Sequence, residues 1–213
     1  MIENLKALLQ EKYSLEERDA GEFSKMKVSG MLFNIKSYSA PRLGRISIMT
    51  AKGFFGLMKM ETLIIVPLVT DKPLFSWDYV NAGGNETLIC ELYDTLLSPF
   101  DASGIENVKK KYASVPDGDA GKHWYDEIKL KESIYKKDRK NSSLSSLSYD
   151  YLKAYLESHS SPVRDVDAKK EKTERYVRGL ISNGGPSTDV FKKKIGEEKT
   201  ALLFRKVLFP TEL

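Results

Sequence analysis

The spacing of apolar residues changes character along the chain. Ile2, Leu5, Leu8, Leu9 and Tyr13 recur at helical spacing, which predicts an amphipathic helix over Ile2–Tyr13. From Val28 the period shortens, and Val28–Ser39, Arg45–Ala51, Met58–Val69, Phe75–Val80 and Thr87–Asp94 read as strands rich in β-branched, aromatic, Leu and Met residues. Breaks at Ala40-Pro41, Gly53–Gly56, Thr70–Pro73 and Asn81–Asn85 separate them. Such short connections leave no room for helical crossovers, so the sheet is predicted to be a mainly antiparallel meander.

Beyond Ser98-Pro99 the pattern predicts a short helix at Ile105–Ala113, a turn-forming SVPDGDAGK loop and an imperfect strand over Trp124–Tyr135. The polar run Lys136–Ser146 reads as a mobile excursion. Three helical segments follow, at Tyr149–Ser158, Lys169–Ser182 and from Ser187 onward, the last broken at Gly196. After that break, Glu197-Glu198 and Arg205-Lys206 suit the two ends of a new helix dipole. No internal repeat is present. The predicted fold class is α+β, with helices covering a central antiparallel sheet.

Composition narrows the class. A chain of 213 residues, 41% apolar and 30% charged, is expected to form one sizeable folded domain. Its longest apolar run, Leu63–Val69, is far shorter than the roughly 18–20 residues a membrane span needs. The opening MIENLKALLQEKY mixes charges early, unlike a secretory segment, and the single cysteine, Cys90, can form no internal disulfide. A cytoplasmic location is the expectation. Alternation in ETLICELYD makes Cys90 a buried structural thiol.

Charge is unevenly placed. The net +4 conceals eleven Lys/Arg against five Asp/Glu between Lys169 and Lys206, so the basic character concentrates in the C-terminal helices. That face suits an acidic partner, an anionic ligand or nucleic acid. Nucleic acid ranks last, because the segment lacks interleaved aromatics and any helix-turn-helix, zinc or RNP-type motif. His123 and His159 stand 36 residues apart with no ligand-spaced partner, so a metal site is not expected.

The most informative chemistry lies in ETLIIVPLVTDKPLFSWDYVNAGG, residues 61–84. Asp78 follows an apolar strand and precedes a glycine-rich turn; a carboxylate buried there would resist ionisation and could serve as an acid. In a regular strand it shares a face with Ser76 and Val80, while Trp77 and Tyr79 point the other way. The bland alternative is a cap on the Asn81–Gly84 turn.

PLFSWDYVNAGG, the preceding IIVP, the later HWYDEI and the C-terminal VFKKKIGEEKTALLFRKVLF together resemble the ferredoxin-dependent bilin reductases, over roughly Val28 to Phe209. The resemblance implies an α/β/α sandwich and reduction of a linear tetrapyrrole. It also implies electrons from an external ferredoxin, no bound metal or flavin, and protons from side chains. Asp78 matches the family's central proton donor, and Gly83 and Gly84 match the following turn, where missing side chains would let the backbone approach a flat ligand. Arg45, or Arg42, would anchor a propionate by bidentate pairing. Lys192, Lys193, Lys194, Lys199 and Arg205, with Arg175, Arg178 and Lys206 beside them, would dock the acidic ferredoxin; Lys109–Lys111 is a second candidate surface. Against the family pattern, an assisting histidine is replaced by Thr62, which would still touch substrate. A glutamate falls at Met49 or Thr50, and a second carboxylate falls at Gly185. These departures keep two readings open: reduction of a different linear tetrapyrrole, or a non-catalytic tetrapyrrole-binding or carrier protein.

Overall fold

The computed structural model describes residues 1–139 and 143–212. Helix α1 (Ile2–Lys12) is followed by short strands β1 (Glu16–Arg18) and β2 (Lys25–Val28), which lie end to end along the same edge of β3 (Met31–Ala40). Then β4 (Gly44–Gly53), β5 (Met58–Pro67), β6 (Leu74–Ala82) and β7 (Asn85–Tyr93) pair consecutively. Helix α2 (Ser103–Lys111) intervenes before β8 (Ile134–Arg139) completes the sheet beside β7. Every pairing is antiparallel, as the short connections predict. The C-terminal part is helical: α3 (Ser143–Glu157), α4 (Val166–Asn183), α5 (Pro186–Ile195) and α6 (Glu197–Leu203), which runs on into a π-helical turn at Phe204–Leu208.

Strand alternation divides the apolar residues between two layers. One face of the sheet presents Ile46, Leu63, Phe75, Trp77 and Leu92 to α1, α2 and α3. The other presents Phe33, Met49, Ile64 and Tyr93 to α4, α5 and α6. Two cores on opposite faces of one sheet make the chain an α/β/α sandwich.

Helix α4 is fixed to the sheet by a buried ion pair. Lys169 is wholly enclosed, and its Nζ donates to Asp71 Oδ1 at 3.0 Å, to Lys72 O at 2.7 Å and to Thr95 O at 2.8 Å. Asp71 also accepts from Leu97 N and Ser98 Oγ, so both charges are compensated. Lys169 therefore does not contribute to the basic surface counted from the sequence. At the start of the same helix, Asp165 accepts from Ala168 N at 2.9 Å and caps it.

Three local readings of the sequence are corrected. The stretch Trp124–Ile128 is a 3₁₀ turn, not a strand, and the eighth strand begins only at Ile134. Much of the supposed polar excursion is regular: Lys136–Arg139 pair with β7, and α3 begins at Ser143, while residues 140–142 lie outside the described residues. Lys136 hides its charge by donating to Val115 O at 2.9 Å and pairing with Asp117 at 2.7 Å, which explains why a lysine-rich segment can be a strand. Strands β1 and β2 are missed by periodicity because both are short and mostly polar edge strands.

Candidate functional site

Between the sheet and α4–α6 lies a cavity of about 350 Å³, within the roughly 300–1,000 Å³ of small-molecule sites. Its floor is made of alternate residues on adjacent strands: Thr62 and Ile64 of β5, Ser76 and Asp78 of β6, Ile89 and Glu91 of β7. Tyr176 of α4, Phe191 of α5 and Phe204, Leu208 and Phe209 beyond α6 roof it. The 3₁₀ segment supplies a wall through His123 and Tyr125. On this face the strands carry short or polar residues where the opposite face carries large rings, so the helices cannot close down fully. The hollow is the result.

Asp78 sits in the centre of that floor. Its register partner across β5–β6 is Thr62, whose Oγ1 donates to Asp78 Oδ1 at 2.5 Å, while Ser76 Oγ donates to Oδ2 at 3.2 Å. Part of the residue faces the hollow and stays accessible, yet the carboxyl is densely surrounded by protein. Burial pushes its pKa up to about 6, and the negative charge of Glu91 adds to the rise. The two hydroxyl donors oppose it, since they favour the ionised form.

The structure adds groups that the sequence reading did not single out. Glu91 lies one strand over, opposite Ser76, and accepts from Tyr93 Oη while facing Lys129 Nζ at 3.6 Å. Burial raises the phenols of Tyr93, Tyr125 and Tyr176 well above their usual range, which keeps them protonated and able to donate. Tyr93 and Tyr176 pack at 4.3 Å between ring centroids, and the His123 ring stacks on Tyr125 at 4.8 Å. His123 also bonds Ala120 O at 2.8 Å and caps the 3₁₀ turn, so the wall is held rigidly. Glu91 and Tyr93 alternate with Cys90 and Leu92; the period-2 rule applied to β7 would have set both beside Asp78.

Of the predicted substrate contacts, Thr62 lines the cavity and three others do not. Gly83 and Gly84 form the β6–β7 turn with φ of 60° and 86°, and a side chain on Gly83 would meet only open space. They form the turn and lie outside the cavity lining. Arg45 lies toward the other end of β4, where its Nε donates to Glu212 O at 2.7 Å and a second nitrogen bonds Ser39 Oγ. Arg42 is committed to Lys12 O at 3.0 Å. Both arginines are therefore spent on holding termini and helices. Cys90 is buried in the opposite core.

The departures from the family pattern map onto this geometry. Met49 faces the cavity whereas its neighbour Thr50 does not, and Gly185, at the start of α5, also lines it. Lys192, Lys193 and Lys194 follow Phe191 on α5, with Lys193 and Lys194 exposed to solvent on the helix that roofs the cavity. Lys199 pairs with Glu22 at 2.6 Å, and Arg205 is exposed beside the Lys206–Glu212 pair. Among the described residues, no group of three His, Cys, Asp or Glu is arranged to hold a metal, and no helix is long and apolar enough to cross a membrane.

No protein-family model matches the sequence, and no curated protein does. Among solved structures, the chain superposes on phytochromobilin synthase from tomato, crystallised in complex with biliverdin, with a TM-score of 0.76. The match covers 99% of this chain and 81% of that one at 16% identity, and it establishes a shared fold.

Proposed function

We propose that the chain binds a linear tetrapyrrole in this cavity and reduces it, with Asp78 as proton donor and an external ferredoxin as electron source. The reading rests on the Asp78 carboxyl, its pKa raised toward neutrality, on the floor of a cavity lined largely by apolar side chains and tyrosines. Reduction of one double bond consumes two electrons and two protons, and a donor serves best when its pKa lies near working pH. With a pKa of about 6 the carboxyl is protonated in roughly a tenth of molecules at pH 7. A flat pigment seated above it displaces water, and the added desolvation raises that share. The fold shared with a biliverdin-bound protein supports the choice of ligand.

The lining also orients the ligand. Among the described residues that line the cavity there is no Lys or Arg, whereas two carboxylates are present, so the pyrrole N–H groups face Asp78 and Glu91 and any propionates extend outward. Lys192, Lys193 and Lys194 attract an acidic ferredoxin to the roof, which brings its cluster close to the pigment. A carrier without catalysis is the second reading. It is favoured by Thr62, which can donate a hydrogen bond to Asp78 but cannot relay a proton as an imidazole would.

The visible spectrum of biliverdin, followed as purified protein is added, tests binding. Ferredoxin, its reductase and NADPH without oxygen then test turnover. The expected result is a shift on mixing and a second, progressive change only with the complete electron chain. A shift without turnover selects the carrier, and no shift refutes both readings for that pigment.

A further inference from the structure

At the end of the sheet where β4 turns into β5, the chain runs through Phe54-Phe55-Gly56-Leu57. Phe54 and Phe55 hold left-handed backbone, with φ of 51° and 56°, which bulky residues seldom adopt. Their side chains find no shelter: Phe54 is 55% exposed, Leu57 67%, and Phe55 stands entirely in solvent. Such a cluster, held out by an unfavourable backbone, marks an interaction site better than a packing defect.

Just below the tip, strand register aligns Lys27, Leu32, Lys52 and Lys59 in one row across β2, β3, β4 and β5. Paired residues share a face, so this is a continuous strip in which Leu32 is 42% exposed. Among the described residues Lys27 and Lys52 have no ion pair, while Lys59 meets Glu61 at 2.7 Å. The same row continues through Asn81 to Glu86 and Asp138, and Glu86 is engaged by Tyr79 Oη at 2.8 Å. Positive charge is thus confined to the half of the row beneath the aromatic tip.

We propose that this hairpin docks on an anionic lipid surface, with Phe54, Phe55 and Leu57 entering the interface and the lysine row meeting the headgroups. Aromatic and aliphatic side chains ahead of a row of lysines are the composition of interfacial anchors. A protein partner fits less well, since lysine is depleted in the cores of protein interfaces. The mode is peripheral and needs no spanning segment.

Full-length protein is sedimented with vesicles of phosphatidylcholine alone and of phosphatidylcholine mixed with phosphatidylserine. Binding is expected only to the mixed vesicles, weakening with salt. Replacing Phe54 and Phe55 together by Asn, which tolerates left-handed backbone, lowers binding about tenfold or more. The pair Lys27→Gln and Lys52→Gln lowers it by a similar factor and flattens the salt dependence. Unchanged melting temperatures verify that both variants fold. Failure to bind the mixed vesicles, or binding untouched by both variants, overturns the proposal. So does a concentration-dependent dimer that the Asn variant abolishes, because the tip would then be an interface between copies.

Discussion

The two faces of the sheet are built from the same strands and behave as different materials. Toward α1–α3, Phe75 packs against Tyr151 and Tyr155, with Phe75 and Tyr155 centroids 4.8 Å apart, and Trp77 stacks on Tyr79. Toward α4–α6 the intervening Ser76, Asp78 and Val80 leave space. One face spends its residues on packing and the other keeps polar groups in a hollow. Stability and chemistry are thereby separated by one position along β6.

Adjacent substitutions on that strand test the separation most severely. Trp77→Ala removes the largest fully buried side chain and should cost about 3–5 kcal/mol, read as a large fall in denaturant midpoint. Asp78→Asn should leave the fold intact and pigment binding within about tenfold, yet lower turnover by roughly a hundredfold or more. A carboxyl with its pKa raised from 3.8 to about 6 stabilises the fold when protonated; that contribution is complete below pH 3.8 and is lost as pH rises through 6. Asp78→Asn should therefore flatten the pH dependence of stability between those values and make the protein more stable than the parent above pH 6. A variant that is instead destabilised at neutral pH would show Asp78 to be structural.

Smaller effects sharpen the same contrast. Thr62→Val deletes the principal donor that favours ionised Asp78, so the descending, high-pH limb of the turnover profile should move to higher pH. Glu91→Gln removes a nearby negative charge and should move that limb the other way, by less. Gly185→Asp is expected to change the melting temperature by only a few degrees, because a Cβ there meets Leu180 and Thr188 at ordinary distances of 3.6 and 3.7 Å. Placing a carboxylate on the roof in this way should alter which reduced pigment accumulates, measured by chromatography of the products.

Much of the architecture could be read directly from the chain. Period-2 alternation and short breaks marked β3–β7 because those strands are long and bury one or both faces, and the same alternation put Ser76 and Val80 with Asp78. Edge strands β1 and β2 and the lysine-bearing β8 carried no such signal, since solvent on one side relaxes their composition. The cavity was legible only in part. Asp78 and Thr62 come from the strands where pattern and family resemblance agree, whereas His123, Tyr125 and Tyr176 reach the site from segments far apart in sequence. The position of Arg45 outside the cavity was illegible for a related reason: a basic residue near the right strand says nothing about the carbonyl of Glu212 that occupies it.

Helix α4, which roofs the cavity, carries a glycine, Gly179. A Cβ there would fall 2.2 Å from the Trp124 indole, so the helix accepts the ring only because this position is bare, and Trp124 Nε1 then donates to Gly184 O at 2.9 Å. The indole packs against Tyr125 and Tyr176, both of which line the hollow, while Trp77 is sealed in the opposite layer. The protein consequently carries its own optical gauge: emission from Trp124, the indole packed on two lining tyrosines, should be quenched by a coloured guest, and a Trp77→Phe chain would report occupancy through that one indole without any added dye.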